Sequence, residues 1–365
     1  MNLHQILIDA KVMLHFAAAG AGPAFATRLW QTPGSSQYLT GSTLIQARNK
    51  LDRFIGFEPD DHKYCNRDVA IDMAITAYIR ACQTIAADAT EARKPIGAAV
   101  TAAVATSQLP RGKQRAHIAI ICEGGVFHHE IVFEKNTGQD ARQAHDNLIA
   151  DTMEQLLTDI ISEEIQSESD ETALKRIAHH STFMPDGSRL KESPSTGLYF
   201  PANFNPMHDG HRHACLEAER ITGLKAVFHI EATPPNKQAL SIADLLRRIA
   251  SLQDKEPVET QRPITVTQGE PNYIDKARKR PGSHFIAGAD AVSRLLEPNW
   301  GYVVDHMLAE LDDLNTKFFV LGRHDGANFV TVHDLEINSR FRHLFIHLDG
   351  QHDISSTQLR AEIGK

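Results

Sequence analysis

His208-Asp209-Gly210-His211 sets two imidazoles around a glycine, where the segment Phe204-Asn205-Pro206-Met207 gives way to a helical pattern. Near the end of the chain, Ile354-Ser355-Ser356-Thr357-Gln358-Leu359-Arg360 offers a second helix start, rich in hydroxyls and carrying a cation. A helix amino end presents unpaired N–H groups and a positive dipole end, and a glycine there lets a phosphate approach the backbone. Nucleotidyl transfer asks little covalent help of a protein. It needs an in-line nucleophile, a held pyrophosphate and stabilised charge on the α-phosphate. Two imidazole donors, His208 and His211, with Gly210 between them, suit that work. Ser355, Ser356, Thr357 and Arg360 make a second clamp for the β- and γ-phosphates. Magnesium is expected to arrive with the triphosphate.

Each of these residues also has a plain structural reading. A histidine in a strand-to-helix loop is commonly a polar cap, and this chain has 20 histidines. That reading is preferred for His213, which lies outside the motif spacing. Ser355 and Gln358 stand at capping-box spacing. This leaves Arg360 unexplained, because a cation on the first helical turn opposes the dipole unless an anion binds there. An H-x-x-H pair can also hold a metal, but no third ligand stands at a convincing distance, so no protein metal site is expected.

The elements around these residues read as strand, helix, strand. Leu198-Tyr199-Phe200 is a short apolar run. A helix from about Gly210 carries Ala214, Cys215, Ala218 and Ile221 on one face and stops at Gly223, and Ala226 to Ile230 is the next strand. Such a βαβ unit implies a parallel sheet with a right-handed crossover. His284 to Ala287, Phe318 to Leu321 and Leu344 to Leu348 are further buried-strand candidates, and ligands bind beyond the carboxyl ends of such strands. In the front half, Asp68 to Ala87 and Gln139 to Ile161 read as helices. His117 to Cys122 and Val126 to Phe133 read as a hairpin turned by Gly124-Gly125. Between the halves, Ser162 to Thr196 is dominated by charge, proline and glycine, the composition of a connector with a single helix. The expected division is a front domain over 1–162, a linker over 163–196 and a second domain over 197–365.

With 365 residues, 42% of them hydrophobic, the chain has room for two globular domains. A formal charge of −8 gives no general pull toward nucleic acid or anionic membrane, so neither is an expected partner. Cys65, Cys82, Cys122 and Cys215 are scattered and fit a reducing compartment. Met1 to Phe16 lacks the pattern of a signal peptide, and no apolar run is long enough to span a bilayer. A cytoplasmic protein is expected.

Asn203-Phe204-Asn205-Pro206-Met207-His208-Asp209-Gly210-His211 resembles the signature of the cytidylyltransferase-like nucleotidyltransferases, and the tail resembles their I-S-S-T-x-[IL]-R motif. Between them, Thr233-Pro234-Pro235-Asn236-Lys237 is similar to the P-P-H-K segment of nicotinate/nicotinamide mononucleotide adenylyltransferases. Ile286-Ala287-Gly288-Ala289-Asp290 with Trp300, and Phe319-Val320-Leu321-Gly322-Arg323, resemble two further segments of that group. The resemblance implies a Rossmann-like α/β domain of the HIGH type, with His208, His211 and Arg360 catalytic. It implies that Phe204 and Asn205 join the phosphate-binding residues, that Lys237 holds phosphate, and that Asp290 and Trp300 flank the nucleoside and the pyridine ring. Two departures stand out. Ala202 replaces the usual glycine before the motif, and the arginine expected soon after P-P-H-K has no clear counterpart.

The front half resembles, more distantly, the α/β C-terminal domain of CinA proteins, the nicotinamide-mononucleotide amidases. The likeness rests on Thr32-Pro33-Gly34-Ser35-Ser36, on Lys50 before Phe54-Ile55-Gly56, and on Ala99-Val100-Thr101. The position of that family's catalytic serine falls on Ala19 and that of its tyrosine on Ile45, while Ala102 and Ala105 replace glycines. Without a hydroxyl no acyl-enzyme forms there, so an amidase-like fold without amidase activity is expected, with Lys50 a surface charge. Such a domain can serve as an assembly surface, and a homo-oligomer is the guess that follows. The leading expectation for the whole chain is transfer of AMP from ATP to a mononucleotide, nicotinamide or nicotinate mononucleotide first. The alternatives are a cytidylyl- or adenylyltransferase with another acceptor, such as pantetheine phosphate, and a catalytically silent nucleotide-binding regulator. No residue reads adenine against cytosine. A class I aminoacyl-tRNA synthetase, which also carries H-x-G-H, would need a lysine-rich second motif and a basic surface, and neither is present.

Overall fold

The computed structural model describes residues 2–87, 92–163, 167, 170–234, 238–254, 260–298, 303–325 and 328–350. It divides into two compact units: Met1–Ile177 with Gly187–Arg189 and Ser241–Asp254, and Ala178–Asp186 with Leu190–Leu240 and Lys255–Lys365.

In chain order the first elements are α1 (Leu3–Asp9), β1 (Val12–Ala19), α2 (Pro23–Gln31), β2 (Leu39–Ile45), α3 (Arg48–Ile55), α4 (Arg67–Ala87), β3 (Lys94–Ala103), β4 (Arg115–Cys122), β5 (Gly125–Val132), α5 (Gln139–Ile161) and α6 (Glu171–His179). Their sheet runs β2-β1-β3-β4-β5, with β1 parallel to both neighbours and β3, β4 and β5 antiparallel. All eight residues of β1 are buried, as in a strand covered on both faces. One face packs Phe16, Val100 and Ile118 against Phe25, Ile149 and Met153 of α2 and α5. The other carries α4, which comes close because the strand beneath it is made of small residues. A Cβ on Gly97 would lie 2.3 Å from the backbone nitrogen of Tyr78.

The second run is β6 (Thr182–Phe183), β7 (Arg189–Leu190), β8 (Leu198–Pro201), α7 (Asp209–Thr222), β9 (Ala226–Glu231), α8 (Ile242–Asp254), β10 (Ile264–Thr267), α9 (Tyr273–Lys279), β11 (His284–Gly288), α10 (Ala289–Leu295), α11 (Val304–Asp313), β12 (Phe318–Leu321), β13 (Arg323–Asp325), β14 (Asn328–Val330) and β15 (Phe345–Leu348). The sheet order is β15-β12-β11-β8-β9-β10-β6-β7. From β15 to β10 the pairing is parallel, and β6 joins antiparallel to β10. Counted along the chain, the six parallel strands stand in the doubly wound order 6-5-4-1-2-3, which puts the topological switch at β8. The Rossmann-like parallel sheet is therefore present. Tyr199, Phe285, Phe318 and Val320 pack with Leu308 and Phe341 in its core.

Two findings refine the expected organisation. The stretch 163–196 carries α6, β6 and β7, so it is more than a connector. Arg176 and Arg189 from this stretch reach the fully buried Asp72 of α4, at 2.6 and 3.6 Å. Helix α8, flanked in sequence by β9 and β10, groups with the first unit, where it lies against α4 and pairs Arg247 with Glu123.

Candidate functional site

At the end of β8 the chain passes through buried Phe204 (φ 45°) and a cis Asn205–Pro206 peptide to His208, the N-cap of α7. Phe204 is packed against Phe200, Phe228 and the ring of His211. It thus supports the histidine from beneath, while Asn205 is exposed and Gly210 is buried in the first turn. The His208 and His211 rings lie 3.8 Å apart, centroid to centroid, and both are buried.

One hydrogen bond fixes the chemistry of His211. The backbone N–H of His208 donates to His211 Nδ1 at 3.3 Å, so Nδ1 carries no proton and the neutral ring has its N–H at Nε2. Burial, then His208 and Arg323, hold the His211 pKa down to about 2. At ordinary pH this residue is a neutral donor of fixed tautomer. It can stabilise charge developing on an oxygen without first losing a proton of its own.

Arg323, at the start of β13, is the residue that sequence reasoning matched but gave no role. Its side chain makes no hydrogen bond or ion pair among the described residues, yet lies close enough to His211 to bear on its charge. Its side chain crosses Gly288 at the end of β11, where a Cβ would meet Arg323 Cγ and Nε at 3.2 Å. The signal was available in the sequence: a glycine ending one buried strand beside a cation following the next. Asp290, expected beside a nucleoside, is exposed on α10 and pairs with Arg294 at 2.7 Å. His213 takes the structural role expected of it, donating from Nε2 to the carbonyl of Asp349 at 2.6 Å. Lys237, Trp300, Ser355, Ser356, Thr357 and Arg360 lie outside the described residues.

In the first unit the corresponding position is built differently. Ala19 ends β1 opposite Ile45 and Thr101, and Gly20-Ala21-Gly22 leads into α2. Asp146 of α5 accepts from the N–H groups of Gly22 and Ala24 at 2.5 and 2.9 Å. Arg142 donates to the Gly20 carbonyl at 2.8 Å, and the Ala105 N–H donates to His145 Nδ1 at 3.3 Å. Lys50 is exposed on α3.

Among the described residues, no helix is long and apolar enough to cross a membrane, and no three His, Cys, Asp or Glu side chains group as metal ligands. Two comparisons of the chain with known proteins find a likeness. No curated protein matches it. Solved structures with a likeness include a competence-damaged protein (CinA) superfamily protein from Enterobacter cloacae, at 15% identity over 42% of this chain and 88% of that one, with a TM-score of 0.33. Another is the competence/damage inducible protein CihA from Agrobacterium tumefaciens, at 19% identity over 43% and 93%, with a TM-score of 0.33. The family model described as cytidylyltransferase-like matches residues 199–362, the stretch that carries the Rossmann-like order and the histidine pair. Residues 199–362 thus form a cytidylyltransferase-like domain.

Proposed function

We propose that this domain transfers AMP from ATP to a phosphorylated small molecule, with nicotinamide or nicotinate mononucleotide as the first candidate acceptor, and releases pyrophosphate. The observation that carries this reading is the neutral, Nε2-protonated His211 set close beside His208 at the amino end of α7, within electrostatic reach of Arg323. Imidazole donors at a helix amino end favour the charge that builds on the α-phosphate, and a guanidinium with no side-chain partner among the described residues suits the leaving phosphates. Arg360, Ser355, Ser356 and Thr357 would complete the phosphate clamp, with Lys237 and Trp300 toward the acceptor. Magnesium would arrive with the triphosphate and offset the charge on its phosphates.

The front unit, in the same proposal, keeps an amidase-like fold without the activity. Ala19 offers no nucleophile, and the Asp146 carboxylate sits on the N–H groups at the start of α2. One experiment covers both halves. The protein is incubated with ATP or CTP, magnesium and nicotinamide mononucleotide, nicotinate mononucleotide or pantetheine phosphate, while pyrophosphate and ammonia are followed. Pyrophosphate with ATP and a mononucleotide is the expected result. No pyrophosphate with any pair would leave a nucleotide-binding regulator, and ammonia from nicotinamide mononucleotide would end the inactive-amidase reading.

A further inference from the structure

The end of β9 holds a carboxylate that the proposed chemistry has not used. Glu231 is buried, and its two oxygens accept five hydrogen bonds. Oε1 takes the Thr233 N–H at 3.2 Å, the Thr233 hydroxyl at 2.6 Å and the Gly269 N–H at 3.0 Å. Oε2 takes the Thr267 hydroxyl at 2.8 Å and the Glu270 N–H at 3.2 Å. The Thr267 hydroxyl is turned toward Glu231 because it accepts in turn from His229 Nε2 at 2.7 Å, and burial keeps that imidazole neutral. Three backbone N–H groups and two hydroxyls converging on one point form an anion nest, and here the protein supplies the anion.

The nest joins the loop after β9 to the loop after β10. An in-line displacement needs its nucleophile and leaving group on opposite sides of the transferred phosphorus. The histidine pair follows β8, which has β11 on one side and β9 on the other. Arg323 and Gly288 lie on the β11 side and suit the triphosphate, so the acceptor approaches past β9 and β10. We infer that Glu231 is a positioning residue for the acceptor, tying the two loops of that wall together from within; the inference rests on the nucleotidyl-transfer reading.

The test removes the anion and then replaces it. Glu231→Ala leaves five donors around a cavity of carboxylate size, which sodium formate can refill. Formate should raise the thermal midpoint of Glu231→Ala and leave that of the parent unchanged at matched ionic strength. With ATP and nicotinamide mononucleotide, Glu231→Ala should raise the acceptor KM about tenfold and leave the ATP KM and kcat within about twofold, and formate should reverse the change. Thr267→Val, which keeps the carboxylate and removes one donor, should move the acceptor KM the same way by about threefold. A thermal midpoint indifferent to formate overturns the nest. Equal changes in both KM values and kcat, or no change, overturn the positioning role. If the parent releases no pyrophosphate with any acceptor, the nucleotidyl-transfer reading and the acceptor role fall together, and the thermal measurement still decides whether formate occupies the nest.

Discussion

The strand-to-helix junctions after β1 and after β8 meet anions differently. After β1, the amino end of α2 is capped from a distant element by Asp146, and Arg142 and His145 of the same helix bind the neighbouring loop ends. After β8, the cap of α7 comes from within the motif itself, as His211 accepts from the His208 N–H. The physics of the two helix ends is the same: unpaired N–H groups and a positive dipole end attract negative charge. An internal carboxylate turns that attraction into stability, whereas a buried imidazole pair in which His211 is neutral leaves it, in the proposed reading, for a ligand. Fold therefore does not set function at either junction, and the few residues beyond the strand do.

The contrast can be broken at several points. Replacing His211 with alanine should lower pyrophosphate release by about two to four orders of magnitude, by analogy with the loss of a charge-stabilising donor. An unaffected rate would mean the chemistry lies elsewhere. Acid should then separate the units. Burial lowers the pKa of His211 to about 2, that of His229 well below its ordinary value, and that of His15 in the first unit to about 4. Each binds its proton only on unfolding, so its stabilisation is complete above about pH 6.5 and declines as the pH falls below it. The decline should end near pH 4 for His15 and continue for His211, at roughly 1–2 kcal/mol per group by about pH 5. Urea unfolding followed by pH should show it, and a midpoint that rises on acidification would refute the assignment.

Asp146→Ala should destabilise the protein by about 1–2 kcal/mol in denaturant unfolding, the usual worth of a helix cap, with nucleotidyl transfer unchanged. Loss of transfer would show that the first unit acts on the second. Arg323→Ala should raise the ATP KM by about three- to tenfold while sparing the acceptor KM, with Arg323→Lys intermediate because it keeps charge but loses the planar fork. Equal sensitivity of both KM values would remove Arg323 from the triphosphate side.

Legibility in the sequence followed the kind of signal each element gives. Helix α5 was read to the residue, because its apolar spacing and the preceding Gly138 agree. Strands β9, β11, β12 and β15 were located within a residue or so, because strands buried on both faces are unbroken apolar runs. Strand β3 was missed. Its sequence, Lys94-Pro95-Ile96-Gly97-Ala98-Ala99-Val100-Thr101-Ala102-Ala103, is alanine-rich and has no strand period. It is a strand because small side chains let α4 approach its backbone. Strand β10 has only four residues and two of them are threonines, so its run is too short to stand out.

The sequence by itself pointed to an α/β chain whose second half resembles nucleotidyltransferases, because the H-x-G-H motif is local and sits where a strand gives way to a helix. Tertiary structure decided what local sequence cannot encode. It fixed the tautomer of His211 through a backbone N–H and brought Arg323 across Gly288. It gathered five donors around Glu231 and set Asp146 on a helix end more than a hundred residues away in sequence. Each of these depends on which atoms converge after the sheet has formed, and convergence in space leaves no periodic trace along the chain.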